Sequence, residues 1–278
     1  MRALDPQVAD PVWRAVQGLL PPTPSARDHP LGCHRRRASD ELCFRGILLR
    51  LVTGCSWVTA ERLLDGAVSD TTLRARRDEW LAAGVFDRLV EEALEAYNTI
   101  VGYDLDEVSI DGSQHKAPCG GPGTGPNCAD RGKLGFKWSV AADGAGVPIG
   151  WVVAQANRHD SKLLEPTLDE LDRRGLLVEV DTVHLDRGYD YEFVRDLLDA
   201  RGVTGAIPKV RPKGKGRRKS LVSMGERWKV ERANSWFTNF GQLRRNTDRG
   251  VARRLAQIAL AVALLITAKL VDWRDRWN

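Results

Sequence analysis

HLDRGYD, residues 184–190, is the stretch that decides the fold, because one carboxylate, Asp186, stands where an apolar run ends and a glycine turn begins. The preceding residues, DTV, predict a short buried strand, and the following residues, YEFVRDLLDARG, predict a helix. A carboxylate is costly to bury without a partner. We therefore expect Asp186 to stand at the end of a strand and to point at a ligand.

A second predicted strand carries a carboxylate in the same way. In EVSIDG, residues 107–112, Asp111 follows the apolar run VSI, and Gly112 leaves room beside it. If the two strands are neighbours, Asp111 and Asp186 converge, and they repel each other unless a cation lies between them. Mg²⁺ is the usual cation, held by one or two carboxylates together with waters and phosphate oxygens.

A third acid, Glu231, stands near the start of a predicted helix, VERANSWFTNFGQLRR. An apolar face at Trp236, Phe240 and Leu243 would lie on the sheet and turn Glu231 toward the same cleft. Each acid also has an ordinary structural interpretation when taken alone. Asp111 and Asp186 would then form turns, and Glu231 would be a surface charge paired with Arg227.

The order of predicted elements indicates an α/β fold. Residues 1–100 are mostly helical, and from 101 the pattern begins as an antiparallel meander and then alternates strand and helix, which implies a mixed sheet flanked by helices. We predict an all-α domain at 1–100 and a catalytic domain at 101–278. The five predicted strands are EVSIDG, KLGFKWSVAA, VPIGWVVAQA, DTVHLD and TGAI.

Two short helical segments near residue 66 suggest a helix-turn-helix. VTAERLLDG and SDTTLRARRDEWLAAG are separated by a tight turn, and Ser39 is a predicted N-cap of the helix before them. The second segment presents Arg74 and Arg77, and arginine is the commonest reader of guanine in the major groove. The alternative is an ordinary bundle helix in which these arginines pair with Asp70, Asp78 and Glu79.

Charge is unevenly distributed along the chain. The net charge is +5, but residues 201–278 hold 19 Lys and Arg against 5 Asp and Glu, so residues 1–200 are net acidic. The run KVRPKGKGRRK at 209–219 contains no acid. A basic third on an otherwise acidic protein predicts a polyanionic partner, most simply nucleic acid.

Several other classes of protein are disfavoured. The five cysteines form no CxxC pair, which suits a reducing cytoplasm. His115, Cys119 and Cys128 would suit zinc only with a spacing unlike that of a standard finger. The apolar run IALAVALLITA at 258–268 is too short to span a bilayer, and no N-terminal signal pattern is visible. We expect a cytoplasmic protein without a membrane partner.

The sequence resembles the DDE transposases of bacterial insertion sequences, within the group named after insertion sequence five. The resemblance covers nearly the whole chain. It rests on VTGCSW at 52–57, SIDGSQHKA at 109–117, DRGKLGFKWSV at 130–140, PIGWVVAQANRHDS at 148–161, VHLDRGYD at 183–190 and ERWKVERANSWFTNFGQLRRNTDR at 226–249.

The resemblance implies an RNase H-like catalytic domain in which Asp111, Asp186 and Glu231 bind two Mg²⁺ (or Mn²⁺) ions. It further implies cleavage of double-stranded DNA at inverted-repeat ends and strand transfer into target DNA, by a homodimer at the nucleoid. In the wider superfamily the glutamate is framed by a tyrosine, an arginine and a basic residue. Arg227 matches the arginine, whereas Met224 and Thr238 depart from the other two.

Phosphate-contacting residues are expected around the cleft and in the basic run. His159 fits two interpretations equally well, a phosphate contact and a residue that shapes its own loop. Two other functions remain open, a metal-dependent nuclease without strand transfer and an inactive DNA-binding regulator derived from a transposase. The predicted DNA contacts are Arg74, Arg77, His115, Lys137, Arg187, Lys209, Arg211, Lys213, Lys215, Arg217, Arg218, Arg227 and Arg232.

Overall fold

The computed structural model describes residues 2–22, 37–208 and 228–277 of the chain. It divides into two compact units. The first consists of Met1–Ala96, Asn239–Leu243 and Ala252–Asn278, and the second of Tyr97–Thr238 and Arg244–Val251. The change after Ala96 is close to the predicted boundary at 100, but the C-terminal helix, predicted to be part of the catalytic domain, falls in the first unit.

The elements are as follows. The helices are α1 (Pro6–Leu19), α2 (Asp40–Thr53), α3 (Trp57–Leu63), α4 (Asp70–Ala82), α5 (Val85–Ile100), α6 (Leu164–Arg173), α7 (Glu192–Ala200), α8 (Trp228–Thr238), α9 (Gly241–Arg244) and α10 (Val251–Trp277). The strands are β1 (Glu107–Lys116), β2 (Gly125–Asn127), β3 (Lys133–Ala142), β4 (Pro148–Gln155), β5 (Thr182–His184) and β6 (Thr204–Ala206).

Serine caps begin three successive helices of the first unit, α2, α3 and α4. In α2, α3 and α4 the N-cap hydroxyl accepts a hydrogen bond from the amide three residues later. Such a cap satisfies one of the free N–H groups at a helix start. The caps are Ser39, Ser56 and Ser69, and the prediction for Ser39 is confirmed.

Gly54, in the VTGCSW stretch, ends α2 in the left-handed conformation, with φ of 75°. The backbone of Gly241 packs against it, and a Cβ on Gly241 would overlap the Gly54 amide. Gln242 also donates from Nε2 to the Gly54 carbonyl at 3.2 Å. This close approach explains why the helix predicted over 230–245 is broken, with α8 ending at Thr238 and α9 beginning at Gly241.

α10 contains the long apolar run at 258–268. Every residue from Ile258 to Leu264 is buried. Of the helices in the described part of the chain, α10 is the one with the length and composition to span a membrane, and 56% of its most apolar window is buried. The core helices of soluble proteins share that length and composition, so the observation is weak evidence for a membrane.

The second unit is built on a mixed sheet in which β1 is central. β1 pairs antiparallel with β3 and parallel with β5; β3 continues antiparallel to β4, and β5 continues parallel to β6. The resulting order, β4-β3-β1-β5-β6, is that of an RNase H-like sheet, and the fold prediction is confirmed. A short sixth strand, β2, pairs with β3 and lies in a Gly/Pro-rich stretch outside the five predicted strands.

Helices cover both faces of this sheet. Successive residues of a strand point to opposite faces. Trp138 donates from Nε1 to Asn234 Oδ1 on α8 at 2.8 Å, whereas its neighbour Ser139 accepts from Thr167 Oγ1 on α6 at 2.8 Å. One face, here called the α8 face, therefore carries Trp138, and the other, the α6 face, carries Ser139.

Candidate active site

The register of β1 and β5 brings Asp111 and Asp186 together. The parallel pairing runs Glu107 to Thr182, Val108 to Val183 and Ser109 to His184. β5 ends at His184, and Asp186 follows two residues later as the cap of a 3-10 turn. Continued over those two residues, the same register would bring Asp186 beside Asp111 on the next strand and direct both carboxylates to one side of the sheet.

That side is the α8 face. Asp111 pairs with Val140 on β3, two residues from Trp138 and therefore on the same face as its indole. Asp111 and Asp186 are both half-buried, so neither carboxylate is closed off from solvent. A pair of carboxylates at this spacing favours a cation, because the two negative charges otherwise repel each other.

Asp186 is held by the turn that follows it. Its Oδ1 accepts a hydrogen bond from the Gly188 amide at 2.6 Å, and it caps the 3-10 turn Arg187–Tyr189. A Cβ on Gly188 would approach the same Oδ1 to 2.8 Å, which is closer than side chains normally come. The carboxylate is therefore oriented by its own turn, and the glycine after Asp186 is the residue that allows it.

The Tyr189 hydroxyl lies near three carboxylates, those of Asp111, Asp160 and Asp186. Its side chain is buried, and burial raises the pKa of the hydroxyl well above its usual range. The negative charges of Asp160, Asp111 and Asp186 raise it further, so all three carboxylates lie near this one hydroxyl. The phenol keeps its proton at any physiological pH and can only donate toward these acids or stay neutral beside them.

Glu231 comes to the same face from α8. This helix packs on the sheet through Asn234, which binds Trp138, and through Phe237, whose ring meets Trp138 edge-on with centroids 5.6 Å apart. Glu231 lies in the first turn of the helix and is exposed. Of the predicted apolar face, Trp236 is only half-buried, whereas Phe240 and Leu243 are buried but belong to the first unit. The residues that α8 itself buries are Lys229, Val230, Ala233, Asn234 and Phe237.

The donor chemistry of the three acids suits a divalent cation, because Mg²⁺ and Mn²⁺ prefer oxygen ligands. Within residues 2–22, 37–208 and 228–277, no three His, Cys, Asp or Glu side chains already form a group that could hold a metal ion. The fit is therefore one of donor type and shared face for all three acids. For Asp111 and Asp186 it is also one of strand register.

Two family models match this chain. The family model described as "Transposase DDE domain" matches residues 101–266, and the one described as "Putative transposase of IS4/5 family" matches residues 8–90. The chain belongs to the DDE-domain transposase family.

Two proteins of Burkholderia cepacia are similar to this transposase family member. The "Putative transposase for insertion sequence element IS402" is 37% identical over 136 residues, which are 47% of this chain and 62% of that protein. The "Insertion element IS402 uncharacterized 16.2 kDa protein" is 33% identical over 114 residues, which are 40% of this chain and 74% of that protein. The match thus spans less than two thirds of the first of these relatives.

Solved structures of the Mos1 transposase show only a weak likeness. The paired-end complex with the left transposon end is 13% identical and covers 94% of this chain and 92% of its own, with a TM-score of 0.28. The Mos1 mariner paired-end complex with Mn is 14% identical, with the same coverage and TM-score. The fold assignment therefore rests on the strand order and the register rather than on these neighbours.

His115 and Lys137, two of the predicted DNA contacts, lie inside the DDE domain. The His115 ring stacks on Trp138 with centroids 3.5 Å apart, and burial lowers its pKa to about 3. Lys137 is 3% exposed, and its ammonium group pairs with Asp160 at 2.8 Å and donates to the Arg158 carbonyl at 2.9 Å. As described, neither side chain presents its charge to solvent.

Arg187 and Arg232 differ in whether the guanidinium group is open to solvent or engaged inside the protein. Arg187 is exposed in the turn after Asp186 and remains a predicted phosphate contact. The Arg232 guanidinium lies over the rings of Trp228 and Trp236, at 4.6 and 4.9 Å from their centroids, and donates to the Ala145 carbonyl. Arg232 thus ties the start of α8 to the turn between β3 and β4.

The arginines of α4 have the partners that the bundle-helix alternative named. Arg74 is half exposed and pairs with Asp70 one turn earlier at 2.7 Å. Arg77 is buried over the ring of Trp57 and pairs with Asp78 at 2.6 Å. An exposed pair within a helix contributes only about 0.3–0.5 kcal/mol, so Arg74 can exchange Asp70 for a DNA group at little cost, whereas Arg77 cannot.

Other predictions fall on residues beyond this description or on different elements. Cys119 and Cys128 are exposed free thiols, while His115 is buried, so the three do not form a joint zinc site. His159 caps a 3-10 turn, its Nδ1 lying 2.8 Å from Ser161 Oγ. Outside the described residues lie Lys209, Arg211, Lys213, Lys215, Arg217, Arg218, Met224 and Arg227.

Two residues near the acids were not predicted. Tyr189 belongs to the HLDRGYD stretch, and Asp160 follows β4 in the stretch NRHDS. The available signal was an acid placed after an apolar run, the same pattern that identified Asp111 and Asp186, although Asp111 lies in the middle of β1 rather than at its end. β4 pairs with β3 rather than with β1, so the strand order alone does not place the end of β4 near Asp111.

Proposed function

We propose that this chain cleaves DNA at the ends of an insertion sequence and transfers the freed strand into target DNA. The observation that supports the proposal is the parallel pairing of β1 with β5, whose register, continued by two residues, would bring Asp186 beside Asp111 in a chain of the DDE-domain family. Glu231, on the helix packed against that face, is the third acid of the proposed set.

Asp111, Asp186 and Glu231 would hold two divalent ions, Mg²⁺ or Mn²⁺, which when bound activate the attacking oxygen and stabilise the leaving 3′-oxygen. The chain's own contribution is orientation. Gly188 fixes the Asp186 carboxylate through its amide, and the sheet fixes Asp111 through its pairing with β3 and β5. A carboxylate that is already oriented in this way needs little rearrangement at the moment of reaction.

The proposed reaction has two balanced steps. In the first, a water oxygen bonds to the scissile phosphorus while the bond to the 3′-oxygen breaks; water gives up a proton and the leaving 3′-oxygen takes one up, so that a 5′-phosphate and a 3′-hydroxyl are formed. In the second, that 3′-hydroxyl bonds to a phosphorus of target DNA while another 3′-oxygen leaves. No covalent protein–DNA bond is needed, so no serine or tyrosine nucleophile is assigned.

Recognition of the element's ends is assigned to the first unit. α3 and α4, joined by a tight turn, have the arrangement of a helix-turn-helix, and Arg74 is the exposed arginine on the second helix. The basic run at 209–219 is proposed to hold phosphates without reading sequence. We also propose that the protein acts as a homodimer on double-stranded DNA at the bacterial nucleoid in the cytoplasm.

The test uses the full chain, Mg²⁺, a labelled duplex carrying the inverted repeat that flanks the gene, and a target plasmid. The wild type should cut the end and join it to the plasmid. Asp186→Asn should reduce cleavage roughly 100-fold or more, because even outer partners of a metal ligand cost 10–100-fold. DNA binding should be unchanged in this variant, since the shape of the side chain is retained.

Asp169→Asn is the matched control, because Asp169 is an exposed carboxylate paired with Arg201 on the α6 side of the same unit. It should cut and join like the wild type. Cutting without joining would identify a nuclease, and binding without cutting would identify a regulator. Cleavage by Asp186→Asn at the wild-type rate would contradict the assignment of the acids.

A further inference from the structure

The α6 face carries an ion pair directly behind the two aspartates. Lys137 is opposite Gln114 on β1, so it shares a face with Gly112 rather than with Asp111. Its buried ammonium group lies 2.8 Å from Asp160 Oδ1 and is anchored by the Arg158 carbonyl. A buried cation of this kind is stable only with its partner in place, because an uncompensated buried charge is strongly destabilising.

The Asp160 carboxylate occupies the space that a side chain at position 112 would fill. A Cβ on Gly112 would overlap Asp160 Oδ1 and would lie 3.6 Å from the Lys137 Cδ. Gly112 directly follows Asp111 and has an ordinary strand conformation, since it is not among the residues with positive φ. The glycine is therefore required by the close approach of Asp160 and not by the backbone.

The same segment touches the turn that carries Asp186. The 3-10 turn Asp160–Lys162 packs against the 3-10 turn Arg187–Tyr189. Tyr189 feels the charge of Asp160 together with those of Asp111 and Asp186. Asp160 thus contacts the strand of one proposed ligand and lies beside the turn of the other, although it follows a strand that pairs with neither β1 nor β5.

We propose that Asp160, held by Lys137, is a positioning residue that fixes the middle of β1, at Asp111, against the turn of Asp186. Asp160 acts from the α6 face through Gly112 and the packed turns and touches neither DNA nor the reacting atoms. This inference rests on the proposed function in one respect only, that Asp111 and Asp186 bind the cation.

The first test separates positioning from simple stability. Asp160→Asn keeps the shape but leaves Lys137 without its counter-charge, and Lys137→Met does the reverse. Both should lower the Tm and weaken Mn²⁺ binding, measured by calorimetry on the full chain without DNA, by roughly 10-fold. The double variant has no buried charge, so its Tm should recover while its Mn²⁺ affinity stays about 10-fold weaker.

Two results would overturn the proposal. If the double variant recovers Mn²⁺ affinity together with Tm, the pair is only structural. If Asp160→Asn binds Mn²⁺ as tightly as the wild type, or the wild type binds none, Asp160 positions nothing. Asp169→Asn again serves as the control and should bind like the wild type.

A second test uses steric contact rather than charge. Gly112→Ala should push Asp160 away from β1 and weaken Mn²⁺ binding about as much as Asp160→Asn does. In an Asp160→Ala background the added methyl group meets no carboxylate, so Gly112→Ala should cause no further loss. An equal additional loss in both backgrounds would overturn the proposal.

The metal measurement also distinguishes this proposal from the proposed function. A wild type that binds Mn²⁺ but never cuts DNA, with weaker binding in Asp160→Asn, refutes the transposase assignment and supports the positioning role. A wild type that cuts and joins, with unchanged Mn²⁺ affinity in every position-160 variant, supports the transposase and refutes the positioning role.

Discussion

Asp111 and Asp186, on and after neighbouring central strands, were predicted from sequence patterns as short as those that pointed to Arg74 and Arg77 on α4. The positions of the two pairs are nevertheless determined by different interactions. The two aspartates are placed by backbone register, which moves every residue of a strand together. The two arginines are three residues apart on one helix, yet Arg74 is half exposed and Arg77 is buried over Trp57.

The difference shows which functional residues a sequence can identify. An aspartate side chain is short and has few conformations, so on a strand or just after one the position of its carboxylate follows from the backbone. A long cation can reach many partners, and its partner is fixed only by tertiary packing. The same contrast occurs within the sheet, where His115 and Lys137 were predicted to face DNA and instead lie inside, next to Trp138 and Asp160.

The largest expected effect that would sharpen this contrast concerns His115. Its pKa is lowered by burial to about 3, while in the unfolded chain it is about 6.5. Below pH 6.5 the His115 imidazole is therefore protonated in the unfolded chain but stays neutral in the folded chain. This contribution to stability is complete above pH 6.5, falls as the pH drops toward 3, and amounts to a loss of about 2 kcal/mol at pH 5.

Urea unfolding at pH 7 and pH 5 measures that loss. His115→Phe keeps an aromatic ring beside Trp138 and removes the titrating group, so other ionisable groups cancel in the comparison. The free energy of unfolding of the wild type should fall by about 2 kcal/mol more than that of the variant. Equal falls in the two proteins would mean that His115 is charged when folded, as a DNA-facing residue would be.

A smaller effect should separate the two arginines of α4. Arg77→Ala removes a desolvated cation over Trp57 and should lower the free energy of unfolding by about 1–2 kcal/mol, whereas Arg74→Ala should cost about 0.5 kcal/mol or less. Only Arg74→Ala should reduce the preference for element-end DNA over scrambled DNA, by roughly 10-fold if one guanine contact is lost.

Urea unfolding and competitive binding on the same two variants make this measurement. A preference that is unchanged by Arg74→Ala would exclude this arginine as the reader of the ends. Equal destabilisation by both substitutions would remove the contrast between an exposed and a buried arginine, since it would mean that the two side chains are equally packed.

Much of the sheet was predictable, because strand periodicity and the acids at 111 and 186 constrain the topology of β1, β3, β4, β5 and β6. The short strand β2 was missed because three residues in a Gly/Pro stretch carry no periodicity. The break between α8 and α9 was missed because it depends on the contact of Gly241 with Gly54, which is remote in sequence. The association of α10 with the first unit was also missed, because it too depends on contacts between segments that are remote in sequence.

At the site, the acids were predicted and their support was not. Asp160 lies near Asp111 and Asp186 because the 3-10 turn Asp160–Lys162 packs against the turn Arg187–Tyr189, which is distant from it in sequence. Whether such a turn meets another depends on how β4 and β5 are ordered around β1, and local patterns do not contain that information.

The most direct test of the account is calorimetric binding of Mn²⁺ to the full chain and to its Asp111→Asn and Asp186→Asn variants, with Asp169→Asn as the control. If register places the two carboxylates on one cation, each Asn variant should bind Mn²⁺ at least about 10-fold more weakly, while the control binds like the wild type. Unchanged affinity in either the Asp111→Asn or the Asp186→Asn variant would contradict the central claim that these two carboxylates bind the same cation.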